Sequence, residues 1–489
     1  MLTALLVLCH PGAAAEPDGE QFIAVSDLHF DPMADSALVD RLAATAAGAW
    51  AGILAQPGAT RISRYGQDTT YPLLQSALQE MRATLPHPAF LLVPGDFLAH
   101  SFRKKFDAAA AEHTDARYRA FVVKTMQFLA GQLQAAFPGT PILPVLGNND
   151  DECGDYMLHP GGPFLRDALP IVRALLGGGV GANFDRDWTA TGSYDVAHPT
   201  LPAVRVIFAD TVFFSRNYRD ACGAGGGDPG GKTLDWLRDR LTVAREAGQK
   251  VWLLYHIPPG IDVYATLHGA GCPKAMVPFW APSYAVRFAE LMDEFSGTVA
   301  ASFAGHTHMD EFRLTGAAGG FVLVVPALSP IFGQNPAFQV FAYDAAGGVL
   351  DRTTPYLANV AAAAGGAAAE WRAEPSFTKT WMLPRVDGST LQTLYDRIDG
   401  DRDAGTLWLL RYAASRAGFW PLPPEQGLVP KPIFAAYRCA IGNLSVAEFR
   451  ACYCDASTSS LRAERSNPVL CAGPRIASPA ARNDGCTRE

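Results

Sequence analysis

The stretch Thr298-Val299-Ala300-Ala301-Ser302-Phe303-Ala304-Gly305-His306-Thr307-His308-Met309-Asp310-Glu311-Phe312 runs largely apolar and then breaks into a glycine and two histidines. Histidines at i and i+2 on a turn can both face one cavity, and Gly305 permits a backbone path that a residue with a Cβ resists. The pattern predicts a buried strand over 298–303 whose end carries metal-ligating side chains. Taken alone, it fits a polar loop equally well. Recurrence decides between the two. Ser26-Asp27-Leu28-His29, Pro94-Gly95-Asp96, Gly147-Asn148-Asn149-Asp150 and Tyr255-His256-Ile257-Pro258-Pro259-Gly260 end apolar runs in the same way. Five such breaks in one chain read as one metal site.

Apolar runs at 21–26, 89–93, 141–146, 204–209, 250–255, 321–325 and 338–343 predict further strands. Helical patterns occupy 36–85, interrupted near 56–66, then 118–136 and 234–247, with a loop-rich region expected between the apolar runs at 141–146 and 204–209. Short apolar strands alternating with helices point to a layered α/β fold. In the Gly-rich patch 223–231, Gly230-Gly231-Lys232-Thr233 resembles a phosphate loop. The G-x-x-x-x-G-K-[ST] layout is absent, since Pro229 interrupts it, and a loop leading into the next helix is expected. Residues 361–369 are Ala/Gly low complexity and mark a boundary or linker. Helical patterns follow at 391–398 and 406–417, with a cysteine cluster beyond. The expected organisation is a signal peptide at 1–15, a main domain at 20–355 and a small helical, Cys-rich subdomain at 356–489.

The chain has 489 residues, 49% hydrophobic and 18% charged, with a net charge of −8. That is enough for a large core, and it excludes the basic stripe of a nucleic-acid duplex binder. An apolar run at 2–8 followed by Ala13-Ala14-Ala15 reads as a secretory signal. No later stretch reaches the roughly 18 apolar residues of a membrane span. Of nine cysteines, Cys9 falls in that signal, and the even remainder favours disulfides in a secreted or periplasmic protein. Cys452-Tyr453-Cys454 lacks the usual C-x₂-C zinc spacing.

Ligands of layered α/β proteins collect at the carboxyl ends of strands, where every one of these motifs sits. Together they bring His29, His256, His306 and His308, the carboxylates of Asp27 and Asp96, and the amide oxygen of Asn148. That set is too polar to bury unpaired and too large for one tetrahedral ion. Two divalent ions sharing a bridging carboxylate satisfy all seven. With a bridging hydroxide the site carries a formal charge of about +1, which attracts an anion. Imidazole-rich ligation favours zinc, with manganese or iron as alternatives.

These residues resemble the calcineurin-like metallophosphoesterase superfamily, whose pattern is D-x-H, G-D, G-N-[HN]-[DE], H and G-H-x-H. Asp27-Leu28-His29, the run from Gly95 to His100, His256-Ile257-Pro258-Pro259-Gly260 and the Gly305–Phe312 stretch are more closely similar to its acid sphingomyelinase-like phosphodiesterase branch. The resemblance implies a β-sandwich flanked by helices over 20–355, which becomes the catalytic domain. It implies one metal on Asp27, His29, Asp96 and His308. Asp96 bridges to a second metal held by Asn148, His256 and His306. It also places His100 beside the substrate phosphate. Asn149 stands where sphingomyelinase relatives usually carry His; it donates a hydrogen bond but cannot titrate. Either His100 supplies the leaving-group proton, or the leaving group needs little help. Asp310 or Glu311 is expected to orient metal-bound histidines, while Asp31, Asp150 and Asp151 are expected as solvated loop carboxylates.

The expected activity is that of an exported dinuclear phosphoesterase in which metal-bound hydroxide attacks a phosphodiester. Its expected partner is a phosphate-ester substrate: a phospholipid headgroup reached by transient membrane-surface contact, a nucleotide or polyphosphate. The alternative is a phosphoanhydride hydrolase acting on nucleotides or polyphosphate. A third reading is a non-catalytic metal- and phosphate-binding protein.

Overall fold

The computed structural model of the protein describes residues 19–56, 61–220, 222–223, 227–267, 272–419 and 431–455. The expected signal peptide, Cys471 and Cys486 lie outside the described residues. Short apolar runs form two sheets. In the first, β1 (Glu20–Ala24), β2 (Leu91–Val93) and β3 (Ile142–Pro144) run parallel, and β10 (Gln339–Tyr343) and β11 (Val349–Thr353) extend it antiparallel, in the order β11-β10-β1-β2-β3. The second takes the order β4-β5-β6-β7-β9-β8: β4 (Tyr194–Ala197), β5 (Val204–Phe208), β6 (Lys250–Leu254), β7 (Val299–Ala304), β8 (Glu311–Thr315) and β9 (Gly320–Val324). Its β5, β6, β7 and β9 are parallel, with antiparallel strands at both edges.

Aromatic side chains glue the sheets face to face. Phe22 of β1 stacks on Phe90 and Phe341 at 4.7 and 5.0 Å, and meets Trp252 of β6 and Phe303 of β7 at 5.3 and 5.7 Å. All five are fully buried. Rings of this size dominate the burial that holds a sandwich together. Helices flank the sheets: α1 (Tyr71–Thr84), α2 (Phe102–Ala109), α3 (Asp115–Ala136), α4 (Pro163–Leu176), α5 (Phe184–Thr191), α6 (Pro229–Glu246) and α8 (Pro282–Glu294), while the short α7 (Val263–Thr266) joins a separate apolar cluster. Among the described residues, no helix is long and apolar enough to cross a membrane.

Three local expectations are corrected. The region between β3 and β5, expected as loop, holds α4 and α5; Phe164, Leu165, Ala168, Ile171 and Val172 give α4 a buried face at helical spacing despite Pro170. Gly230 and Gly231 belong to the first turn of α6 instead of a loop, because Asp228 caps the helix on Gly231 N and Pro229 takes the N-terminal position. The Ala/Gly stretch 361–369 is no open linker. β12 (Pro355–Leu357) pairs with β13 (Trp371–Ala373), and Val360 packs with Leu73 and Leu357.

Beyond β13 come α9 (Gly388–Gly400), α10 (Arg402–Tyr412), α11 (Lys431–Gly442) and α12 (Val446–Arg450). α9 and α11 pack on β8, the strand that leaves the His306–His308 turn. Disulfides join Cys153 to Cys222, Cys272 to Cys454 and Cys439 to Cys452. The last two staple a satellite core in which Ile261, Val263 and Met276 meet Ala436, Ala440 and Phe449.

Candidate metal centre

The five strand-end turns meet at one edge of the sandwich. Asp27, His29, Asp96, His306 and His308 all adopt left-handed backbone, with φ of 48°, 38°, 55°, 73° and 67°. Such a conformation in a residue with a Cβ costs on the order of 1 kcal/mol or more, and persists where the surroundings over-determine it. Here the turns bond to one another: Asp27 N to Gly95 O (3.1 Å), His29 N to Asp96 O (2.9 Å) and Gly305 N to His256 O (3.0 Å). Gly305 itself does not have left-handed φ. It is needed because a Cβ would lie 2.6 Å from Asp27 Oδ2 and clash with Ser26 Oγ.

The seven side chains singled out from the sequence lie in one cluster. His29 Nε2 is 3.1 Å from His308 Nε2, 3.3 Å from Asp96 Oδ2 and 3.8 Å from Asp27 Oδ1. His308 Nε2 is 3.4 Å from Asp27 Oδ1. On the other side, His256 Nε2 is 3.3 Å from Asp96 Oδ2 and 3.1 Å from Asn148 Oδ1. Ligand atoms of Asp96, His256 and His306 lie within 4.8 Å of one another. Thus one oxygen of Asp96 faces both halves.

Hydrogen bonds fix which nitrogen of each ring points inward. His29 Nδ1 donates to Leu98 O (2.9 Å) and His256 Nδ1 to Pro94 O (2.6 Å), leaving both Nε2 lone pairs directed into the cluster. These backbone carbonyls take the orienting role expected of Asp310 and Glu311. Asp310 is instead bound by Arg352 (2.8 Å) and Thr354 (2.9 Å), and Glu311 by Arg313 (3.0 Å).

The charge balance of the cluster favours cations. Burial opposes a proton on His29 and His256, yet Asp96 and its neighbours raise them to about 9 and about 10. Burial and the adjacent imidazoles hold His306 and His308 well below the ordinary histidine range. The carboxylates therefore demand positive charge, while the facing Nε2 atoms of His29 and His308 offer lone pairs to the same point. Two divalent cations fit this donor set.

His100 and Asn149 fall differently. His100 stacks on His29 at 3.9 Å, lines the cleft over the cluster, and bonds through Nδ1 to Asp68 Oδ1 (2.8 Å). Asp68 is held down to about 2: burial opposes its charge, but His100, His29 and Lys105 outweigh that. Asn149 does not line the cleft. It donates from its backbone N to Asp96 Oδ1 (2.8 Å) and from Nδ2 to Asp96 Oδ2 (3.0 Å).

Several neighbours of the cluster depart from the sequence expectation or stand outside it. Asp150, expected as solvated, is fully buried and accepts from the backbone N of Phe97, Leu98 and Gly147 at 2.8–3.0 Å, which stitches two ligand turns together. Asp151, expected likewise, is buried and accepts from Cys153 N (2.5 Å). Asp31 pairs with Lys105 (2.7 Å), which also holds Asp68 (2.6 Å). Asp68, Asp155 and Tyr156 belong to none of the motifs; only the fold brings their side chains to the site.

Above the cluster lies a cleft of about 280 Å³. Its walls carry Asp155, Asp262 and Glu311, and the rings of Tyr156, Tyr264, Phe279, Phe332, Tyr412 and Tyr437. Arg313, which also lines it, is committed to Glu311 and to Pro259 O (2.8 Å).

No family model matches the chain. It is similar to acid sphingomyelinase-like phosphodiesterase 3b of Homo sapiens, 25% identical over 483 residues that cover 94% of this chain and 93% of that protein. It is 24% identical to sphingomyelinase phosphodiesterase D of Dictyostelium discoideum over 68% of this chain and 71% of that one. With cyclic GMP-AMP phosphodiesterase SMPDL3A of Mus musculus the identity is 24%, covering 80% and 86%. A similarity that runs nearly end to end, on a sandwich whose strand-end motifs converge as these do, supports the metallophosphoesterase superfamily and its acid sphingomyelinase-like branch.

Proposed function

We propose that the protein is an exported, two-cation phosphodiesterase in which Asp27, His29, Asp96 and His308 hold one ion and Asp96, Asn148, His256 and His306 the other. The observation that carries this reading is the single oxygen Asp96 Oδ2, 3.3 Å from both His29 and His256. The ions, when bound, acidify water and neutralise charge on phosphoryl oxygens. The imidazole-rich set supports zinc, with manganese or iron as alternatives.

The chain's own residues do the rest. Asn149 fixes the Asp96 carboxylate with two N–H bonds. His100, its Nδ1 proton held by Asp68, presents Nε2 to the cleft and passes a proton to the departing oxygen. The cleft wall selects the rest of the substrate. Among the described residues it bears three carboxylates against one arginine that is already paired, and these offer no counter-charge to a second or third phosphate. This supports a diester with a neutral or cationic headgroup over nucleotide triphosphates and polyphosphate. Three disulfides among the described residues support residence in a secreted or periplasmic space.

The test is metal analysis coupled to a substrate panel: bis-p-nitrophenyl phosphate, sphingomyelin, a cyclic dinucleotide, ATP and polyphosphate. Two ions per chain and turnover of the diesters are expected. Metal-loaded protein that leaves every diester intact would overturn the assignment.

A further inference from the structure

The turn Cys153–Tyr156 follows the Asn148 motif at once and is held in an unusual shape. Gly154 and Tyr156 have φ of 114° and 58°. For an aromatic residue left-handed backbone is strained, and here it is fixed from three sides. Tyr156 N donates to Asn148 O (2.9 Å), Arg219 N donates to Tyr156 O (3.0 Å), and the Cys153–Cys222 disulfide anchors the start of the turn.

From this turn two side chains reach the same half of the cluster. Asp155 Oδ1 accepts from Asn148 Nδ2 at 2.7 Å. An amide has two distinguishable ends, so fixing Nδ2 on Asp155 turns Oδ1 toward His256 Nε2, 3.1 Å away. The Tyr156 hydroxyl lies 3.4 Å from His306 Nε2, with the two rings edge to face. With Nε2 engaged there, Nδ1 is the His306 nitrogen left for a cation. His29 in the other half and His256 in this one are oriented instead by backbone carbonyls, Leu98 O and Pro94 O.

We infer that Asp155 and Tyr156 are positioning residues for the second cation, one setting the Asn148 amide and the other the His306 ring. This rests on the two-cation reading, and metal content separates the two ideas. Asp155→Ala, Asp155→Asn and Tyr156→Phe proteins are loaded with zinc, desalted and analysed for metal, and the weaker ion is titrated against a chelator. The wild type should hold two ions per chain. Asp155→Ala should keep one, or bind the weaker ion about 10–100-fold less tightly. Asp155→Asn, which retains an acceptor oxygen, should restore the second ion. Tyr156→Phe should weaken it without a change in melting temperature. If Asp155→Ala keeps both ions at wild-type affinity, the positioning role is wrong while the two-cation reading stands. If it loses both ions together with its melting transition, the role is merely structural and the inference fails. Wild-type protein that binds fewer than two ions overturns the underlying reading itself.

Discussion

His308 contributes one nitrogen to the cluster and nothing to the core between the sheets. His308→Ala should abolish diester hydrolysis by more than about 100-fold while leaving the melting temperature nearly unchanged, because the aromatic core stands apart from it. Rate assays beside a thermal melt check this, and undiminished turnover would remove His308 from the site. His100 belongs to the chemistry rather than to metal retention. His100→Gln should lower kcat by roughly 10²–10⁴-fold with both ions still bound, as loss of a proton donor does. Equal loss of metal and rate would mean that His100 is a ligand. Asn149 illustrates what a motif letter hides. Its identity is read from the sequence, but its aim, onto Asp96 and away from the cleft, depends on a contact across 53 positions of the chain.

The central elements were legible because their residues are apolar on both faces. β1, β2, β5, β6 and β7 each carry such a run. β4 and β8 were not, since Tyr194-Asp195-Val196-Ala197 and Glu311-Phe312-Arg313-Leu314-Thr315 mix charge with apolar residues. They become strands only because β5 and β9 pair with them. The loop leaving β4 carries a pH-sensitive group. His198 Nδ1 accepts from Thr200 N (3.3 Å) and Leu201 N (3.2 Å), while its ring packs edge-on against Trp252 at 4.7 Å. Burial pushes His198 down to about 4 from an ordinary value of 6.5. The unfolded chain therefore binds the proton more readily than the folded one. The stability held above pH 6.5 is lost as pH falls toward 4, by roughly 3 kcal/mol. Urea midpoints measured from pH 4 to 7 should show this slope, and His198→Gln should flatten it. An unchanged slope in that variant would assign it to other groups.

At the scale of the whole molecule, the C-terminal helices complete the cleft instead of hanging from it. α11 packs on β8 and brings Tyr437 to the wall, while Cys272–Cys454 ties the α7 loop, with Asp262 and Tyr264, to the far end of the described chain. That bridge closes a separation of 182 residues, so its removal frees much of the unfolded chain. The paired change Cys272→Ser and Cys454→Ser should lower stability by about 2–5 kcal/mol in denaturant titrations. Metal content should hold, since the satellite core around that bridge is separate from the ligand turns. A variant that sheds its metals would show that the two regions are coupled.

The sequence alone determined which residues could hold metal and that they end strands, because adjacency to an apolar run is local and survives in one dimension. It determined the layered class for the same reason. Only the tertiary structure decided which oxygen faces both halves, which nitrogen of each ring points inward, and that Asp68, Asp155 and Tyr156 belong to the site at all. Those facts are set by hydrogen bonds between turns far apart in the chain, and their partners carry no mark until folding brings them together.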